Sequence, residues 1–256
     1  MNWETWRPFY LRIVREMGYS IEEDRKSAEL LRSLLLESDD YILREELGAV
    51  IGRKVYVFGA GPSLERALNE FDFSDGTLIA ADGATTALLD FGIIPDVIVT
   101  DLDGRISDIK LANDRGAFLV VHAHGDNRDK LVSYVPFLSR ILGTCQTEPL
   151  DIIYNFGGFT DGDRAAFLAK ELGAREITLV GFDFGETVGK WSKPSLREHS
   201  PIWESKRKKF EFAKELLAWL EKNGRAKIKT LTPSPPQRSE EEQQERGRSA
   251  DAARTL

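Results

Sequence analysis

Cysteine occurs once among the 256 residues, histidine three times and methionine twice. A single cysteine, Cys145, has no internal partner. The chain therefore carries no disulfide framework, and a reducing compartment suits it. Positive charge is also in deficit: 35 Lys and Arg stand against 42 Asp and Glu, a formal net charge of -7. That balance argues against a nucleic-acid binder, which carries a dominant basic surface. No stretch approaches the ~20 apolar residues of a membrane span. The opening Met1-Asn-Trp-Glu-Thr-Trp-Arg-Pro8 intersperses charge and lacks the apolar run of a signal peptide. The expected location is cytoplasmic, with neither membrane nor nucleic acid as partner. Internal repeats are absent as well.

The composition that remains, 41% hydrophobic and 30% charged, is that of an ordinary globular protein large enough to need no staple. Three regions are expected: residues 1–52 as an N-terminal helical region, 53–231 as an α/β catalytic domain, and 232–256 as a disordered polar tail. In the first region, Tyr10, Leu11, Ile13, Val14 and Met17 mark one helix. Ser20 and Glu23 form a capping-box signal for a second, Ile21 to Leu36. In the second region, short apolar runs predict strands at Lys54–Phe58, Thr77–Ala81, Val97–Thr100, Ala117–Val121, Asp151–Tyr154 and Ile177–Val180. Lys227–Leu231 is a candidate edge strand. Such runs are continuous rather than alternating, the mark of strands buried on both faces of a parallel sheet. Helical patterns separate most of them (Ser63–Phe71, Ala84–Phe91, Ile106–Arg115, Asp163–Leu172), and one more runs from Trp203 to Lys222. Gly92 and Gly173 stand where helices end. The expected fold is α/β: a doubly wound, mostly parallel sheet of about six strands with helices on both faces, plus the N-terminal helices as a cap.

Ligands of open α/β sheets bind outside the carboxyl ends of the strands, so the residues after each strand are the candidates. Gly59, Gly61 and Ser63 follow the first. They read either as a tight turn or as backbone open to an anion at a helix N-terminus. Asp82 follows the second strand, and Asp101 and Asp103 the third. Two residues apart in extended chain, Asp101 and Asp103 point the same way. Clustered carboxylates need a cation, and oxygen ligands of this kind suit Mg²⁺; turn-forming and helix-capping roles are the alternative. His122, His124, Asp126 and Asn127 follow the fourth strand, either lining a cleft and touching substrate or, as His-x-His-x-Asp, ligating zinc or manganese. Thr160, Asp161 and Asp163 follow the fifth, as ligand contacts or helix caps. Asp183 follows the sixth. Lys190, Ser192 and Lys193 lie on a polar loop with Trp191, placed to meet polyphosphate or simply solvated. The run Lys206–Lys209 reads as a solvated helix face, with one lysine reaching the cleft as the alternative.

The block Ala81-Asp82-Gly83-Ala84, then Gly92-Ile-Ile-Pro95-Asp96 and Thr100-Asp101-Leu102-Asp103, resembles thiamine pyrophosphokinases. Thr160-Asp161-Gly-Asp163-Arg164-Ala165 resembles a later element of the same enzymes. Gly59-Ala-Gly-Pro-Ser-Leu64, Gly181-Phe-Asp-Phe-Gly185 and Gly189-Lys-Trp-Ser-Lys193 resemble their relative, the archaeal 6-hydroxymethyl-7,8-dihydropterin pyrophosphokinase (MptE-like) family. Gly104, where thiamine enzymes usually carry Ser, and the missing C-terminal β-sandwich favour the pterin family. The resemblance implies ATP and 6-hydroxymethyl-7,8-dihydropterin as substrates, AMP and the pterin diphosphate as products, and Mg²⁺ as cofactor. It implies Asp82, Asp101 and Asp103 as the catalytic and metal-binding group, with Asp161 and Asp163 on the same acidic rim. The rival expectations are a metal-dependent phosphohydrolase using His122, His124 and Asp126, a thiamine pyrophosphokinase-like enzyme, and a non-catalytic nucleotide-binding module. A homodimer is the base-rate expectation for assembly.

Overall fold

The computed structural model describes residues 1–234, so the expected tail lies, past Ser234, outside the described residues. Three helices come first: α1 (Trp3–Met17), α2 (Ile21–Ser38) and α3 (Arg44–Val50). Strands and helices then alternate through β1 (Lys54–Phe58), α4 (Leu64–Glu70), β2 (Thr77–Ala81), α5 (Ala84–Asp90), β3 (Val97–Thr100), α6 (Ile106–Asp114) and β4 (Phe118–Ala123). Next are α7 (Arg128–Tyr134), β5 (Ile141–Cys145), β6 (Ile153–Tyr154), α8 (Asp161–Glu171) and β7 (Glu176–Val180). A two-residue pair, β8 (Thr187–Val188) and β9 (Ser200–Pro201), precedes α9 (Glu204–Asn223) and β10 (Lys227–Thr230).

Eight strands form one sheet in the order β10-β7-β1-β2-β3-β4-β5-β6, and every pairing in it is parallel. The fold class is as expected, with two strands more than the six anticipated. One is the edge strand β10. The other, β5, escaped detection because Gly143 and Thr144 interrupt its apolar run; both are buried within the sheet. A Cβ at Gly143 would press on the side-chain ends of Ile153 and of Leu35 of α2, which would have to shift.

Period-two alternation along the strands divides the interior into two cores. Val55, Val57, Ile79, Val97, Val99, Val120 and Leu142 face one side, against Trp6, Tyr10 and Ile13 of α1, Leu47 of α3, and α8 and α9. Tyr56, Phe58, Ala80, Ile98, Leu119 and Val121 face the other, against Leu31 and Leu35 of α2 and the helices α4 to α7. The N-terminal helices are thus layers of both faces rather than a cap on one. Leu31 and Leu35 are wholly buried, worth about 1.5–3 kcal/mol each. Ser20 starts α2 by accepting from the Glu23 N–H at 3.3 Å. Gly18, at φ 72°, ends α1 in the left-handed region that glycine tolerates.

The chain runs outward from β1 through β2 to β6, then returns to place β7 on the other side of β1. The loops after β1 and β7 therefore leave adjacent strand ends in opposite directions, which opens a crevice between them. No helix among the described residues is long and apolar enough to cross a membrane.

Candidate active site

Asp82, Asp101 and Asp161 converge at the carboxyl edge of the sheet, each offering a carboxylate oxygen within 4.8 Å of the other two. Asp82 ends β2 at φ 42°, and Leu102, between Asp101 and Asp103, sits at φ 64°. A non-glycine residue with positive φ carries strain, and strain of this kind gathers at functional sites. The Leu102 conformation also breaks the extended geometry on which the Asp101–Asp103 pairing was expected. Asp101 turns into the cluster, while Asp103 turns out to Lys193, at 2.6 Å, and to Lys130. Asp161, expected only on the rim, takes the third place from the first turn of α8.

The three carboxylates are not equivalent. Asp82 Oδ1 accepts from the Thr100 hydroxyl at 2.6 Å and the Gly104 N–H at 3.0 Å. Gly104 has no room for a side chain, since a Cβ would stand 2.8 Å from that same oxygen. Burial, then the charge of Asp101, pushes Asp82 up to about 6. Burial, Asp101 and Asp82 raise Asp161 well above the ordinary carboxylate range, and Arg164 at 3.3 Å offsets only part of this. For Asp101, burial is outweighed by His124, whose Nε2 lies 3.4 Å from Oδ2, and by Arg164 and Lys209, so it falls to about 2. One carboxylate is firmly ionised, and burial with like charge makes the other two resist ionisation. Three hard oxygen donors so arranged fit Mg²⁺.

A cleft with a volume of about 130 Å³ opens beside this cluster at the β1–β7 crevice. Of the expected residues, Gly59, Gly61, Asp82, Thr160, Asp161, Asp183 and Ser192 line it. Phe182, Phe184 and Phe210 give it an apolar wall. Lys190 and Lys193 line a separate basin with Arg105, Trp191 and Arg197. Lys190 is tied to Glu65 at 2.8 Å and lies 4.3 Å from the Trp191 ring centroid.

Other expected ligand contacts hold the site in shape instead. Asp163 is fully buried and accepts from the N–H groups of Phe159, at 2.6 Å, and Thr160, at 2.8 Å, capping α8 from within. Buried Asn127 donates to the carbonyls of His122, at 2.7 Å, and Asp101, at 3.0 Å, locking the loop after β4 onto the loop after β3. The Ser63 N–H, expected to meet an anion, already donates to Asp183 Oδ2 at 2.7 Å. Nor do His122, His124 and Asp126 gather around a metal. His122 is buried, with Nδ1 3.2 Å from the Thr144 hydroxyl; burial drives its pKa well down and keeps it neutral. His124 has Nε2 toward Asp101 and accepts the Asp126 N–H at Nδ1, 3.3 Å away, and Asp126 is exposed.

Two half-buried lysines of α9 reach the site. Lys206 lines the cleft and is brought down to about 8, by burial first and then by Lys209 and Lys193. Burial lowers Lys209 too. The i, i+3 spacing of these two beside Phe210 was the available signal. Arg164, which links Asp161 to the buried Gln146, at 3.3 Å from each, was quoted within a motif but given no role.

The sequence profile of the 6-hydroxymethylpterin diphosphokinase MptE-like family matches residues 32–189. A Pyrococcus furiosus protein named 6-hydroxymethyl-7,8-dihydropterin pyrophosphokinase is 70% identical over 89% of this chain and 98% of its own length. Proteins of the same name from Methanothermobacter thermautotrophicus and Methanocaldococcus jannaschii are 47% and 41% identical, over 89% and 86% of this chain and 99% and 96% of theirs. The acidic cluster, the crevice and these matches together place the chain in the 6-hydroxymethylpterin diphosphokinase MptE-like family.

Proposed function

We propose that this protein is a 6-hydroxymethyl-7,8-dihydropterin pyrophosphokinase that transfers diphosphate from ATP to the pterin hydroxymethyl oxygen and releases AMP. The observation that carries the mechanism is the convergence of Asp82, Asp101 and Asp161 on one wall of the cleft. Family membership supplies the acceptor.

In this reaction the hydroxymethyl oxygen forms a bond to the β-phosphorus of ATP. The bond from that phosphorus to the oxygen bridging the α-phosphate breaks, the electron pair leaves on AMP, and the hydroxyl proton is released. Such transfers ask the protein mainly for alignment and charge compensation. Asp82, Asp101 and Asp161 would hold Mg²⁺, which when bound neutralises charge on the phosphate oxygens. His124 and Arg164 keep Asp101 ionised, ready to ligate. The rings of Phe182, Phe184 and Phe210 offer flat apolar surface to a planar heterocycle. The Gly59–Gly61 turn lines the cleft with two glycines and Ala60. A cytoplasmic location accords with this reading, as does the buried free thiol of Cys145.

The test is AMP release from ATP and Mg²⁺ with 6-hydroxymethyl-7,8-dihydropterin as acceptor and thiamine as control. AMP that appears with the pterin alone is the expected result. Absence of acceptor-dependent AMP with either compound would overturn the assignment.

A further inference from the structure

Helix α9 carries four consecutive cations, and the fold sorts them into two kinds. Arg207 and Lys208 point outward and are exposed. Arg207 pairs with Glu186, and Lys208 with Glu204 at 3.2 Å. Lys206 and Lys209 point inward and are half-buried. Neither has a carboxylate within 4.0 Å among the described residues. Lys206 runs beside Phe210, its Nζ 5.3 Å from the ring centroid, and enters the cleft lined by Asp82 and Asp161. Lys209 Nζ lies 6.0 Å from the centroid of Phe159, two residues before Asp161. The other lysines around the acidic cluster already have anions: Lys190 holds Glu65, and Lys130 and Lys193 share Asp103.

Desolvated ammonium groups without a counter-ion are costly, and folds keep them where a ligand supplies the missing charge. The polar loop of Lys190 and Lys193 was the expected contact for polyphosphate, but its cations are spent on protein carboxylates. We infer that Lys206 and Lys209 form the polyphosphate-binding pair of this cleft, gripping the phosphate chain of the nucleotide beside the acidic cluster. The inference deepens the diphosphate-transfer reading and takes its choice of ligand from it.

The test is calorimetric titration with inorganic tripolyphosphate in Mg²⁺ buffer, a probe that needs no acceptor and no turnover. Lys206→Gln and Lys209→Gln each weaken binding on the order of tenfold, and the double variant on the order of a hundredfold, as for lost charge-assisted hydrogen bonds. Lys208→Gln leaves binding unchanged, and Lys206→Arg with Lys209→Arg retains most of it. The Gln variants melt close to the parent, because each loses a ring contact but no carboxylate partner. Parental affinity in the double Gln variant, or a lowered melting temperature with affinity kept, overturns the inference. So does a parent protein that does not bind tripolyphosphate. Loss of acceptor-dependent AMP release in the parent alone would sink the catalytic assignment and leave the lysine pair standing.

Discussion

At the scale of single residues, the site is governed by how many negative charges a small buried volume accepts. Asp82 shows the sign of the effect. Its folded pKa, about 6, lies above the unfolded value near 3.9. The folded state therefore binds the proton more tightly, and stability falls as pH rises from about 4 through about 6, then levels off. In metal-free protein, Asp82→Asn is expected to raise stability at pH 8 on the order of 3 kcal/mol and to change it little near pH 4. Asparagine still accepts from Thr100 and Gly104 through its carbonyl oxygen. Melting temperatures in chelator at the two pH values check this; a variant no more stable than the parent at pH 8 would contradict it. Much of this chemistry was legible in the sequence, because aspartates after parallel strands are easy to find. The left-handed turn at Leu102 was not legible, since it has no glycine to announce it. It exchanges Asp103 for Asp161 as the third member of the cluster.

At the scale of elements, the loops at the strand ends are held by residues remote in sequence. Asp24 of α2 is buried and accepts from Gly125 N–H at 2.8 Å, Tyr10 hydroxyl at 2.7 Å and Gln146 Nε2 at 2.8 Å. One carboxylate thus ties α1, α2 and the chain after β5 to the loop that carries His124. Asp24→Ala leaves three donors without their acceptor. It is expected to cost about 3 kcal/mol or more of stability, with a lowered kcat through the displaced His124 loop. Chemical denaturation and AMP release measure the two effects. A variant that loses neither would show that the N-terminal helices do not support the site. Period and capping signals located most helices to within a few residues. Helix α7 and strand β5 went unseen, because α7 buries Leu131 alone and Gly143 and Thr144 interrupt β5, which leaves too little apolar pattern to read. Asp24 gave no signal either: two of its three contacts come from more than a hundred residues away.

At the scale of the whole molecule, a parallel sheet with a reversal at β1 and β7 builds the crevice, and covering both of its faces takes all nine α-helices among the described residues. The N-terminal helices α1 and α2 belong to opposite cores. The central claim is that Asp82, Asp101 and Asp161 act as one metal-holding unit, with Asp103 outside it. The direct measurement is acceptor-dependent AMP release by Asp161→Asn and Asp103→Asn, side by side over a range of Mg²⁺ concentrations. Asp161→Asn is predicted to lose on the order of a thousandfold in kcat/KM, as for a lost metal ligand, and to need more Mg²⁺. Asp103→Asn, which only releases Lys130 and Lys193, is predicted to lose about tenfold or less with its Mg²⁺ dependence unchanged. The reverse order of these losses would contradict the account.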